Sequence, residues 1–188
     1  MGKDFQMGGL LALSRVIDAV TAFIGRNVIW LILAAIIVSA GNAIIRKAFD
    51  MSSNAWLELQ WYLFGAVFML AAAYTLQRNE HIRIDILSGR LSQNARNWID
   101  IFGHVLMLLP FTALMIYEST PFVLRALYSG EMSGSAGGLI IWPARAFILA
   151  GFFLLFLQGI SELIKRIAVM RGLIADPHAG QGHHAPLE

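Results

Sequence analysis

Residues 59–87 read LQWYLFGAVFMLAAAYTLQRNEHIRIDIL. From Leu59 to Gln77 there is no Lys, Arg, Asp or Glu; the next eight positions hold Arg78, Glu80, His81, Arg83 and Asp85. A hydrocarbon layer about 30 Å thick is crossed by roughly 20 apolar residues of helix, because only a helix or a closed barrel satisfies its own amides there. The abrupt charge after Gln77 therefore marks a membrane exit, with Arg78 as its first anchor.

The whole chain fits that reading. Of 188 residues, 57% are hydrophobic and 14% charged, against about 25% charged in an ordinary soluble domain. The net charge of +2 is spread out, so no basic cluster tracks a phosphate backbone and nucleic acid is excluded as a partner. With no cysteine, disulfides, thiolate metal sites and thiol nucleophiles are excluded. The first long apolar run starts only after Arg26, too late for a secretory leader, and the N-terminus is expected to be retained.

Four spans are predicted: 27–45, 56–77, 99 to beyond 117, and 139–161. Pro110 should kink the third, and His104 inside it needs a neighbour. Pro143 suits a first helical turn, and Arg145 can snorkel from the fourth span toward the headgroups. Ahead of the first span, Leu10, Leu13, Ile17, Val20 and Ile24 share a helical face that excludes Arg15 and Asp18. This predicts an amphipathic helix lying in the interface. The expected organisation is an arm over 1–26, a four-helix transmembrane domain over 27–170, and a disordered tail over 171–188 whose Leu187 and Glu188 resemble a cloning scar.

Lys3, Arg15, Arg26, Arg78, Arg83, Arg90, Arg96, Lys165, Arg166 and Arg171 fall on one side of such a bundle. Arg46, Lys47, Arg125 and Arg145 fall on the other. The positive-inside rule then places both termini in the cytoplasm. In HIRIDIL, residues 81–87, the isoleucines alternate as in a strand, yet Ile82, Ile86 and Leu87 also share a helical face. A short amphipathic helix is favoured, since a strand would leave an open edge beside the membrane.

Catalysis finds no constellation, because no span brings Ser, His and an acid together at helical spacing. His178, His183 and His184 lie in a Gly-rich tail that fixes no metal geometry. His104 reads as a neutral histidine bonded to a neighbouring helix or as a proton relay, and Asp100 as an interfacial partner of Arg96 or a helix cap. Asn42 seeks a partner across a helix interface. Glu58 suits the positive end of a helix dipole, with Trp56, Trp61 and Tyr62 in the aromatic belt. Paired acids and matched helix breaks, the marks of a transport pathway, are missing from the spans.

The stretch NAIIRKAFDMSSNAWLELQWYLFGAVFMLAAAYTLQRNEHIRIDIL, residues 42–87, resembles the small membrane subunit, the Q-type or DctQ family, of tripartite TRAP transporters. Arg46, Trp56, Glu58, Ala72, Ala73, Tyr74, Glu80, His81, Arg83 and Asp85 carry the likeness. ELQWYLF and GEMSGSAGGLIIWP are similar to the subgroup labelled for mannitol or chloroaromatic compounds. The resemblance implies an all-helical, non-enzymatic subunit of the bacterial inner membrane, bound to a large permease subunit and meeting a periplasmic substrate-binding protein. It implies that the large subunit holds the substrate and sodium sites and moves as an elevator. This chain would then be scaffold and anchor, without a cofactor, in uptake of a small organic acid. His81, Arg83 and Asp85 would fix the cytoplasmic turn, and Glu131 and Ser133 in the outer loop would touch the binding protein. The alternative is a self-sufficient homo-oligomeric transporter or channel, which needs an embedded acid at a symmetry axis; Glu118, near an interface, is its one candidate.

Overall fold

The structure, a computed structural model, describes residues 2–51, 53–79 and 93–175; of residues 2–6, 93, 94 and 96 it describes the backbone alone. HIRIDIL, with Glu80, His81, Arg83 and Asp85, and the tail beyond residue 175, with His178, His183 and His184, lie outside the described residues.

The described chain is helical: α1 (Gly2–Phe49), α2 (Asn54–Arg78), α3 (Gln93–Gly103), a π-helical turn over His104–Leu108, α4 (Leu109–Ser129) and α5 (Trp142–Met170). A single antiparallel bridge, Met132 to Ile140, is the extended pairing among the described residues. Among the described residues, four helical segments have the length and hydropathy to cross a membrane: Met7–Phe49, Asn54–Arg78, Asn97–Ser129 and Trp142–Met170. The four predicted spans are therefore helical apart from residues 139–141, the first and fourth run on to Phe49 and Met170, and the third, predicted to pass residue 117, ends at Ser129.

α2 stops where the charges begin. Asn79, in the left-handed conformation at φ 57°, donates its N–H to the Leu76 carbonyl and closes the helix. The third span carries the expected irregularity one turn early. Pro110 lacks an N–H and its ring crowds the carbonyl four residues back, at Leu106, which lies inside the π-helical turn. Pro143 sits in the first turn of α5, as predicted.

The N-terminal segment is helical and joins the first span directly. No break separates an arm from the first span: α1 runs unbroken for 48 residues, about 72 Å at 1.5 Å per residue. Of the apolar stripe Leu10, Leu13, Ile17, Val20 and Ile24, Ile17 alone is buried. Leu10, Leu13 and Val20 are exposed, while Met7, Ser14, Thr21, Val28, Ala35 and Asn42 are all buried. These six recur every seventh residue, the period of left-handed helix packing. In a bilayer lipid solvates large apolar side chains on the outside, and small or polar ones fill the helix contacts.

α5 packs against α1, α2, α3, the π-helical turn and α4, and α1 also packs along α2. α4 reaches the rest of the bundle through α5. The buried face of α5 has the same character as that of α1: Gly151, Gln158, Gly159, Ser161, Glu162, Ile164 and Ala168. Phe111 of α4 and Phe152 of α5 meet edge to face, with centroids 5.9 Å apart.

Candidate functional site

The described side-chain hydrogen bonds between distant parts of the chain gather at two clamps, one near each end. At the end formed by the start of α1 and the close of α5, positions 158, 161, 162 and 165 put four polar residues on one helical face. Asp18 of α1 is their hub. Its Oδ1 accepts from Ser161 Oγ at 2.7 Å and from Gln158 Nε2 at 2.8 Å, and its Oδ2 from Lys165 Nζ at 3.0 Å. Lys165 Nζ also donates to Glu162 Oε1 at 2.6 Å, and the Ser14 and Ser161 hydroxyl oxygens lie 2.7 Å apart. Gln77, in the last turn of α2, donates to the Asp18 backbone carbonyl at 3.0 Å, so three helices converge on one residue.

Beside this clamp, Arg166 ties α3 to α5. It donates to Asn97 Oδ1 at 3.2 Å and pairs with Asp100 Oδ2 at 2.8 Å. Asp100 was expected to pair with Arg96 or cap its helix; its described ion pair is with Arg166. His104 Nδ1 lies 2.6 Å from the Asp100 carbonyl of its own chain segment, where a partner on a neighbouring helix was expected.

The second clamp holds the connection between α4 and α5. Glu58 is buried, 6% exposed. Ser133 Oγ donates to its Oε1, and the Leu139 N–H donates to its Oε2 at 2.7 Å. The Glu58 carboxylate thus serves a loop far away in sequence, where the sequence had it facing a helix dipole. Gly138 makes the approach possible, since a Cβ there would lie 2.9 Å from each carboxylate oxygen. Asn54 Nδ2 donates to the Ala136 carbonyl at 3.0 Å, and Tyr62 OH to the Ile140 carbonyl at 3.3 Å. Arg145 pairs with Glu131 at 2.8 Å and stacks over the Phe122 ring at 4.0 Å, drawing both neighbours of the loop together.

The remaining predicted interface residues scatter. Asn42 is buried in the α1 seam, and Arg46 is exposed in the last turn of α1. Trp56 and Trp61 are exposed on α2. Tyr74 faces Gly25 of α1, with the guanidinium of Arg78 5.5 Å from its ring centre. Glu131 and Ser133, expected at a docking surface, are bound to Arg145 and Glu58, so the loop is fastened at both residues. The sequence reading gave the hub, Asp18, no partner; the signal was available in the four polar positions of α5.

No curated protein and no solved structure matches the chain significantly. The family model described as "Tripartite ATP-independent periplasmic transporters, DctQ component" matches residues 35–169, which run from the middle of α1 almost to the end of α5 and take in the Glu58 clamp and the α5 side of the Asp18 clamp. A multi-pass helical chain matched over that length belongs to the DctQ family, the small permease subunits of TRAP transporters.

Proposed function

We propose that this subunit is a non-catalytic scaffold and membrane anchor for the large, elevator-type subunit, in sodium-coupled and binding-protein-dependent uptake of a small organic acid. It sits in the bacterial inner membrane with both termini in the cytoplasm. The large subunit holds sodium and solute, and the periplasmic binding protein delivers the solute.

The observation that carries this reading is where the interior polar groups go. Asp18, Gln158, Ser161 and Lys165 are bound to one another between α1 and α5, and Glu58 to the loop over 130–141. A carrier needs groups that exchange their partners for cargo, whereas a fixed wall needs cross-links that hold helices at constant distance. Interhelical hydrogen bonds in membranes supply about 0.6–2 kcal/mol each, and several converging on one aspartate act as a lock.

Reconstitution tests it. The chain alone, the chain with the large subunit, and both with the binding protein are placed in vesicles under a sodium gradient. Uptake is expected in the complete system only. Uptake by this chain alone would replace the scaffold with a homo-oligomeric carrier or channel.

A further inference from the structure

We propose that the outward face of α4, centred on Glu118, seats a membrane helix of the large subunit that carries a basic residue at the depth of that carboxylate. This rests on the scaffold reading above and adds the surface and the chemistry of the contact.

α4 has two opposite stripes. Thr112, Ser119, Val123 and Ala126 are buried, the first, second and fourth at the seven-residue spacing of the α1 seam, on the helix that packs against α5. On the far side Leu114, Tyr117, Glu118, Pro121, Arg125 and Tyr128 are all exposed. Their spacing of three and four residues is that of a helix–helix contact. Tyr117 is 74% and Tyr128 84% exposed; large amphipathic aromatics of this kind anchor interfaces.

Exposure alone does not single out α4, because Ile29, Leu33, Ile36 and Ile37 of α1 are exposed too. Those side chains are apolar and lipid suits them. Glu118 is different: it lies within the span Asn97–Ser129, one turn inward of Phe122, on which Arg145 stacks. No hydrogen bond or ion pair joins it to a described residue. Arg125 stands seven positions away and donates to the Pro121 carbonyl of its own helix at 3.3 Å. Near the interface, one turn inward of Phe122 and on a surface that would otherwise face lipid, an ionised carboxylate gains from a cation that meets it.

The charge also sorts the possible occupants. A second copy related by a twofold axis along the membrane normal would set Glu118 against its own equivalent, like charge on like. A phospholipid brings a phosphate with any ammonium it carries, so its net charge is zero or negative and it does not neutralise the carboxylate as a lone cation does. A helix with Lys or Arg at that level satisfies the carboxylate, and Tyr117 and Tyr128 flank the contact.

The test uses the assembled complex. Photoreactive benzoylphenylalanine replaces Tyr117 or Tyr128, and, as controls on other exposed faces, Ile36 of α1 or Phe68 of α2. Crosslinks to the large subunit are expected from positions 117 and 128 and not from 36 or 68. Glu118→Lys is expected to lower co-purified large subunit about tenfold, and exchange of the facing basic residue for Glu to restore it. The melting temperature of the isolated chain should not change, since Glu118 holds nothing within it. Crosslinks from 36 or 68 in place of 117 and 128, crosslinks to a second copy, or unchanged yield with Glu118→Lys would each overturn the assignment while leaving the scaffold reading intact. Failure of the unmodified chain to retain any large membrane subunit would instead overturn the scaffold reading.

Discussion

Asp18 and Lys165 meet at 3.0 Å although 147 positions separate them in the chain, and the contact fastens the first helix to the last. Their side chains are 23% and 13% exposed, so removal of one leaves the other poorly solvated. Asp18→Asn and Lys165→Gln should each destabilise the bundle by about 2–3 kcal/mol, with a coupling energy above about 1 kcal/mol in the double-mutant cycle. Thermal unfolding of the purified chain in detergent measures it. Strict additivity would mean that the two groups do not interact.

The spans were legible because hydropathy and length are properties of one segment at a time. The inward faces were not. For residues 10–24 the hydrophobic pattern predicts an amphipathic helix lying in the interface and says nothing of a seam, which Ser14 and Thr21 mark with small polar side chains. Lys165 read as a cytoplasmic anchor for a related reason: a charge near a membrane end has an aqueous explanation ready, and only its recurrence with Gln158, Ser161 and Glu162 on one face points inward. Glu58 was singled out from sequence, but its partners Ser133 and Leu139 leave no local trace at position 58.

Gly25 and Tyr74 show how closely α1 and α2 approach. A Cβ at position 25 would lie 2.3 Å from Tyr74 Cγ and 2.5 Å from its Cβ, atoms near the root of the side chain that cannot swing away. Gly25→Ala should therefore destabilise the chain by about 1–3 kcal/mol, despite the better helix propensity of alanine. Adding Tyr74→Ala should recover part of that loss. A stabilising Gly25→Ala would show that the two helices have room to separate.

The Glu58 clamp should govern the mobility of the loop over 130–141. Glu58→Ala removes the acceptor of the Leu139 N–H and of the Ser133 hydroxyl together. Hydrogen exchange at the Leu139 amide should accelerate by roughly tenfold or more, and protease added to the detergent-solubilised protein should nick the loop. Glu58→Gln keeps an acceptor oxygen and should fall between the two. Equal exchange in all three proteins would mean that Arg145 with Glu131, and not Glu58, holds the loop.

The orientation proposed from charge can be tested without removing native reactive residues, because the chain has no cysteine. Single cysteines replace Asp50 after α1 and Ser135 between α4 and α5, which follow the first and third spans and share one end of the bundle. Another replaces Arg171 after α5, which follows the fourth span and lies at the other end. A membrane-impermeant maleimide added to intact spheroplasts should label positions 50 and 135, and label position 171 only after the membrane is opened. The Lys and Arg count drives that expectation, through the cost of moving basic side chains across the bilayer during insertion. Labelling of position 171 in intact spheroplasts would invert the topology and, with it, place the Asp18 clamp at the outer surface and the fastened loop in the cytoplasm, where a periplasmic binding protein could never reach it.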